Sequence, residues 1–300
     1  MSDRGMRSGR RSGGWARANR PVPAAALAEV LRVTDGFDLA GVDPADTPGF
    51  AGGRRDAEQS FAEDGALLST LQERLWAGGV AGSRRSLLLL VQGMNTAGKG
   101  RVLRDVAAAV DPRGLRVASF AAPTAKERTH EFLWRVRRCL PGPGELAVFA
   151  RSHYEDVLVA RVHHLVPRAT WQRRYTAINR FESSLVLQET VVVKIMLHLS
   201  AGEQSTRLAW RLQHPDLRWR YDPRDVEERA WWNDYQEAYQ AALTRCSTEA
   251  APWYVVPADR AWYARWAVRR LLVGELTAMG LEPVPTHVDV QAEVARLTQG

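Results

Sequence analysis

The sequence has few cysteines and no long apolar run. Cys139 and Cys246 give neither a disulfide framework nor a zinc-binding spacing. No apolar segment has the length of a signal-peptide core or a membrane span, so we expect a cytoplasmic protein with no membrane partner. His153, His163 and His164 show no metal-ligand spacing with acidic residues.

Lysine is also scarce, because it occurs only at Lys99, Lys126 and Lys194 among 41 basic residues. In a chain that prefers arginine this strongly, a retained lysine indicates a site that needs a compact ammonium rather than a planar guanidinium.

The net charge of +7 is concentrated at the start of the chain. Residues 1–20 hold six arginines and one aspartate, which leaves about +2 for the rest. This distribution argues against a specific nucleic-acid partner. The Gly-, Ser- and Arg-rich composition favours a disordered basic tail over residues 1–29, with a dedicated binding arm as the alternative.

Short apolar runs alternate with helical patterns along the chain. The predicted strands are 86–91, 115–123, 144–150, 190–200 and 252–258. The predicted helices are 56–77, 100–110, 127–140, 151–166, 170–187, 203–213, 225–243 and 260–279, followed by an appendage at 281–300. This alternation predicts a parallel sheet covered by helices on both faces.

Residues 93–99 read GMNTAGK, between an apolar strand pattern and a helical pattern. The spacing is that of a phosphate-binding loop, in which backbone N–H groups and a helix N-terminus hold phosphate oxygens. Gly93 and Gly98 would allow close approach, and Lys99 would add a point charge. Gly100 stands where such loops usually carry a Ser or Thr hydroxyl for Mg²⁺.

A second candidate is Arg151, directly after the predicted strand 144–150. An arginine that faces the loop from this position would suit a phosphoryl group in transit. The alternative is a surface arginine at the start of a helix.

These segments together resemble the polyphosphate kinase 2 family, whose members move phosphoryl groups between inorganic polyphosphate and nucleotides. The resemblance covers about residues 30–279 and rests on motifs in a fixed order. They are QGMNTAGKG, SFAAPT, EFLWR, FARSHYEDVLVARVH, RRYTAINRFE, KIMLHLSAGEQSTRL, RWRYDPRDVEERAWWNDYQEAY and STEAAPWYVVPADRAWYAR.

The resemblance implies an α/β fold, a P-loop nucleotide-kinase-like three-layer αβα sandwich with a parallel sheet and a helical lid at about 212–226. The domain would span residues 30–280. It also implies inorganic polyphosphate and a nucleoside mono- or diphosphate as substrates, Mg²⁺ or Mn²⁺ as cofactor, and a homo-oligomer.

Residue roles follow from the same resemblance. Lys99, Arg151, Glu155 and Asn95 would be catalytic. Phosphate and substrate would be bound by charge-assisted hydrogen bonds in a channel. The residues expected to line it are Gly93, Thr96, Ala97, Gly98, Gly100, Arg135, Lys194, Arg207, Arg211, Arg218 and Arg220.

Two positions depart from the family pattern. Asn95 replaces an aspartate that is typical of the loop, and Ala150 replaces an Asp or Asn before the arginine. We expect Glu155 to supply a metal-binding carboxylate, since a helix would place it on the face of Arg151; Asp156 and Glu127 are alternatives.

The function expected from the sequence is transfer of the terminal phosphoryl group of polyphosphate to a nucleotide. The alternative is a catalytically impaired homologue that binds polyphosphate or nucleotide, and a third is a kinase that uses ATP on a small molecule. Phosphoryl transfer depends mainly on positioning and charge neutralisation, so the loss of one acid leaves the first interpretation open.

Overall fold

The computed structural model describes residues 21–285 and 288–298. Its strands are β1 (Ser86–Gly93), β2 (Leu115–Ser119), β3 (Leu146–Ala150), β4 (Thr190–His198) and β5 (Trp253–Pro257). They form one sheet in the order β2-β3-β1-β4-β5, and every neighbouring pair is parallel. The predicted five strands and parallel sheet are confirmed.

The chain forms helices that pack on both faces of this sheet, together with helices outside these two layers. They are α1 (Ala24–Leu31), α2 (Arg54–Val80), α3 (Lys99–Ala107), α4 (Trp134–Arg137), α5 (Val159–Val162), α6 (Arg168–Val186), α7 (Ala201–Gln213), α8 (Pro223–Glu227), α9 (Trp232–Cys246), α10 (Ala261–Ala278) and α11 (Val290–Thr298). Within the described ranges, no helix combines the length and apolarity that crossing a bilayer requires.

The central strand β1 shows why the chain forms three layers. Its side chains alternate across the sheet, and all eight residues are buried. Leu87, Leu89 and Val91 pack with α2, α3 and α10, whereas Leu88 and Leu90 pack with α6 and α9. A strand covered on both faces reads as a continuous apolar run, which is the pattern that predicted it.

Two predicted helices are mostly irregular in the structure. The segment 127–140 contains only a 3₁₀ turn and α4, and the segment 151–166 contains only a 3₁₀ helix and α5. The second segment cannot begin as an α-helix, because Arg151 has a left-handed backbone with φ of 66°. The Ser152 hydroxyl then accepts a hydrogen bond from the Tyr154 N–H and starts the 3₁₀ helix.

The domain boundaries also need correction. The disordered tail was predicted to reach residue 29, but residues 24–31 form α1, with Leu27 fully buried against the core of α10. The rest of that prediction, over residues 1–20, lies outside the described residues. In the C-terminal appendage, α11 is exposed along its length.

The lid was predicted at about 212–226, with a long helix from residue 225. In the structure α7 continues to Gln213 and α9 begins at Trp232, so we call residues 214–231 the lid segment. It consists of a 3₁₀ helix (Pro215–Arg220), α8 and a second 3₁₀ helix (Glu228–Trp231). Asp222 caps α8 and a proline fills its first position, which explains why a new helix starts there.

Candidate active site

The GMNTAGK loop leaves β1 at the carboxyl end of the sheet, between β3 and β4. Gly93 has φ of 146°, and a β-carbon there would lie 2.7 Å from the Leu197 carbonyl oxygen, so only glycine fits. Gly98 has φ of 113° and precedes Lys99, the first residue of α3. A buried strand, a tight glycine loop and a helix N-terminus are the geometry of a phosphate-binding loop.

Three further loop positions have distinct environments. Thr96 has a left-handed backbone with φ of 68°, and its buried hydroxyl has no hydrogen-bond partner within the described residues. Ala97 is buried under the loop. Gly100 is exposed in the first turn of α3, with open space where a side chain would be.

The Lys99 side chain folds back over the loop. Its Nζ donates to the carbonyl oxygens of Gly93 at 2.6 Å and Met94 at 3.0 Å. Burial and the neighbouring Arg151 guanidinium lower the pKa of Lys99 to about 8, although two nearby carboxylates oppose the shift. The ammonium is therefore held at the loop, next to a second cation.

Asn95 connects the loop to two other elements. Its side-chain oxygen accepts a hydrogen bond from Arg151 Nη2 at 3.1 Å, and its Nδ2 donates to Asp225 Oδ1 at 2.6 Å. The predicted approach of Arg151 to the loop is therefore confirmed, and the alternative of a surface arginine at a helix start is wrong. Asn95 is engaged on both sides of its amide.

Asp225 brings a carboxylate from α8 of the lid segment to the loop. Besides Asn95, it faces Arg211 Nη1 of α7 at 3.5 Å. Burial raises the pKa of Asp225, and Arg211 partly offsets this effect. Lys99, Arg151 and Arg211 thus surround the loop with three positive charges.

Glu155 lies near this cluster, as predicted, but not because of a helical face. The 3₁₀ helix places it close enough to Arg151 and Lys99 for both charges to act on its pKa, which burial nevertheless raises. The Gln92 amide is oriented so that its oxygen accepts hydrogen bonds from Ser152. In this orientation the Gln92 nitrogen donates to Glu155 Oε1 at 3.1 Å.

The other two candidate acids are engaged elsewhere. Asp156 lies between two arginines: its Oδ2 is 3.7 Å from Arg135 Nη2, and its Oδ1 is 3.3 Å from Arg174 Nη1. Glu127 is close to the protein surface and accepts a hydrogen bond from the Thr124 N–H at 2.7 Å. Glu155 is therefore the best placed of the three.

Arg207 of α7 also reaches the loop, but all of its donors have protein acceptors. Arg207 was expected to contact phosphate directly. In the structure its guanidinium instead connects the loop to the residues that follow β5. The acceptors are the Glu203 carboxylate at 2.8 Å and the main-chain carbonyls of Thr96, Ala97, Ala258 and Asp259 at 2.6–3.3 Å.

The prediction that Lys194 lines the polyanion channel is wrong in this structure. Lys194 is fully buried in β4, on the face that packs against α6 and α9. Its ammonium donates to Glu182 Oε2 at 2.5 Å, Tyr154 Oη at 3.0 Å and the Cys246 carbonyl at 2.5 Å. The three protons of the ammonium are used inside the protein, so none is left for a phosphate.

The remaining predicted arginines differ in exposure. Arg135 is nearly buried and donates to the Ala121 carbonyl at 2.7 Å. Arg218 and Arg220 are exposed on the lid segment, and Arg220 stacks over the Trp219 ring at 4.8 Å. Only the two lid arginines present their charge to solvent.

A second connection between the lid segment and the loop was not predicted from the sequence. Arg229 Nη1 donates to Gln204 Oε1 at 2.8 Å, and Gln204 Nε2 donates to the Asn95 carbonyl at 3.0 Å. Neither this route nor the Asp225 contact has a local sequence signal, because the partners are far apart in the chain.

The family model described as polyphosphate kinase 2 matches residues 53–282. Among curated proteins, the chain is 44% identical to the AMP/ADP-polyphosphate phosphotransferase of Meiothermus ruber over 82% of this chain and 91% of the relative. It is 37% identical to the ADP-polyphosphate phosphotransferase of Rhodopseudomonas palustris over 77% and 83% of the two chains.

The fold comparison agrees with the sequence comparison. A crystal structure of polyphosphate kinase 2 from Arthrobacter aurescens superposes with a TM-score of 0.91 at 46% identity, covering 94% of this chain and all of that chain. The matched region contains the whole sheet, the loop and the lid segment. The chain therefore belongs to the polyphosphate kinase 2 family.

Proposed function

We propose that this protein transfers the terminal phosphoryl group of inorganic polyphosphate to a nucleoside mono- or diphosphate. The observation that carries the proposal is the cluster of Lys99, Arg151 and Arg211 around a phosphate-binding loop. The relatives named as AMP/ADP- and ADP-polyphosphate phosphotransferases support the same substrates.

The transfer makes one phosphorus–oxygen bond and breaks another. A terminal phosphate oxygen of the nucleotide attacks the end phosphorus of polyphosphate, and the shortened polyphosphate leaves with the bonding electron pair. Because the second pKa of such a phosphate is about 6, the nucleophile is largely deprotonated at neutral pH and a strong general base is not required. An amide at position 95 is compatible with this chemistry.

The protein's contribution is positioning and charge neutralisation. Lys99 and the N-terminus of α3 would bind the phosphate at the loop, and Arg151 would neutralise charge on the group in transit. The exposed Arg218 and Arg220 would hold the polyphosphate chain farther from the reacting phosphorus.

The residues present fit Mg²⁺ or Mn²⁺ only as an ion that arrives with the substrate phosphates. Within the described ranges, no cluster of three or more His, Cys, Asp or Glu side chains could hold a metal by itself. Mg²⁺ sites of phosphotransferases use one or two carboxylates plus phosphate oxygens, and Glu155 could supply such a carboxylate. When bound, the ion would neutralise phosphate charge.

The test is nucleotide production by the purified protein with long-chain polyphosphate, Mg²⁺ and either AMP or ADP. A Lys99→Ala variant, checked for an unchanged circular dichroism spectrum, is the control. We expect ADP or ATP from the unmodified chain and a loss of about 10²-fold or more in the variant.

Two outcomes would count against the proposal. Binding of polyphosphate without any product would indicate a catalytically impaired binding protein, an alternative that the relatives' names do not support. Product formed from ATP and a small molecule, with no use of polyphosphate, would indicate a different kinase.

A further inference from the structure

Asn95 is linked to the lid segment by two routes, one direct and one through Gln204 of α7. Asp225 accepts a hydrogen bond from its side-chain amide at 2.6 Å, and Arg229 reaches its backbone carbonyl through Gln204. No other residue of the loop is joined to the lid segment by two such routes within the described residues. Asn95 is therefore the point at which the lid segment and the loop meet.

The amide is the chemical group that this contact needs. An ionised Asp225 can only accept hydrogen bonds, whereas Arg151 on the opposite side of Asn95 can only donate. An asparagine side chain serves both, with its nitrogen toward Asp225 and its oxygen toward Arg151. The two neighbours therefore fix the orientation of the amide.

An aspartate at position 95 would change this contact. Two carboxylates would then lie about 2.6 Å apart, and like charges at that distance disfavour ionisation of both groups. Lys99 and Arg211 would compensate only in part, because Lys99 already donates to the Gly93 carbonyl and Arg211 to the Arg220 carbonyl. Arg151 lies on the other side of position 95, away from the contact with Asp225. A divalent cation between the carboxylates would relieve the repulsion.

We propose that Asp225 is a positioning residue that docks the lid segment on the phosphate loop through the Asn95 amide, and that the amide allows this docking without a divalent cation. The asparagine at position 95, where the family typically has an aspartate, then changes how the lid segment is held against the loop. The consequence for turnover rests on the proposed phosphotransferase function, but docking is a property of the protein alone.

The docking is measured by hydrogen–deuterium exchange of the backbone amides of residues 214–231, in the absence of substrate and with or without Mg²⁺. The variants are Asn95→Asp, Asp225→Ala and the exchanged pair Asn95→Asp with Asp225→Asn. Asp216→Asn is the matched control, because Asp216 is an exposed acid of the lid segment for which the structure shows no side-chain hydrogen bond.

We expect equal protection of the unmodified chain with and without Mg²⁺. Asn95→Asp should exchange about ten- to a hundredfold faster without Mg²⁺, as expected for loss of a hydrogen bond to a charged group, and should recover with it. Asp225→Ala should exchange fast in both conditions. The exchanged pair should regain protection without Mg²⁺, since the amide then stands on the lid segment and donates to a carboxylate on the loop.

The proposal is overturned if Asn95→Asp and Asp225→Ala leave the exchange unchanged, if the exchanged pair does not recover, or if the unmodified chain needs Mg²⁺ for protection. Exchange of the β1 amides in the same samples shows whether a variant has lost its fold. A protein with the expected exchange but no nucleotide production would refute the proposed function and leave the docking intact.

Discussion

Replacing Lys194 with methionine removes an ammonium from a buried hydrogen-bonded cluster. Lys194 and Glu182 are both almost inaccessible to solvent, and the Glu182 carboxylate also faces His153 Nε2 at 3.1 Å and Tyr154 Oη at 2.9 Å. Methionine fills a similar volume but leaves the Glu182 charge without its cation. Breaking a buried ion pair in this way costs about 3–5 kcal/mol in the free energy of unfolding.

The measurement is urea unfolding followed by fluorescence. We expect a lower urea midpoint for Lys194→Met at an unchanged slope, and partial recovery in the double variant with Glu182→Gln, which removes both charges. A variant with the midpoint of the unmodified chain and a raised KM for polyphosphate would refute the assignment, because it would show Lys194 acting on substrate rather than in the core.

The same cluster has a defined pH dependence. Burial alone would raise the pKa of Glu182, but Lys194 and His153 outweigh it and the pKa lies below its ordinary value of 4.5. A carboxyl whose pKa is lower in the folded state stabilises the protein above the unfolded value. We therefore expect this contribution to be lost as the pH falls below about 4.5, and to be absent from Lys194→Met.

Three further predictions concern turnover. Arg207→Lys should lower kcat by about 10²-fold with little change in KM, because one ammonium cannot replace a guanidinium that donates to four carbonyls. A rise in KM alone would instead indicate that Arg207 binds phosphate directly. The pKa of Lys99 is about 8, so kcat/KM for polyphosphate should fall as the pH rises through that value, and Lys99→Arg should not show this fall. Glu155→Gln should reduce Mg²⁺-dependent turnover by about 10²–10⁴-fold, and full retention of that turnover would remove Glu155 from the metal site.

The parts of the fold that were predictable depend on local patterns. One short segment contains the apolar run of β1, the glycines of the loop and the helical pattern after Lys99. Each of these patterns predicts the conformation of its own residues. The segment 151–166 was misassigned because its apolar residues have helical spacing, while the left-handed backbone of Arg151 prevents a helix from starting there. The conformation of residues 151–166 therefore depends on tertiary contacts and not on the local apolar pattern.

Local patterns predicted the site residues that belong to the loop or follow a strand end, whereas Arg211 on α7 was expected only from the family resemblance. Arg151 was found because parallel strands end at the same edge of the sheet. Lys194 was misplaced because its partners Glu182 and Cys246 come from α6 and α9, whose positions the sequence pattern does not specify. Asp225 was missed for the same reason, since nothing local relates the lid segment to Asn95.

The central place of β1 in the sheet affects how the chain can acquire its structure during synthesis. β1 ends at Gly93, but its neighbours β3 and β4 begin only at Leu146 and Thr190. The carbonyls that anchor Arg207 come later still, at Ala258 and Asp259. A ribosome must therefore deliver most of the chain before the phosphate loop has both its flanking strands and its arginine support. Until then, the apolar side chains of β1 lack the neighbouring strands that flank them in the folded protein.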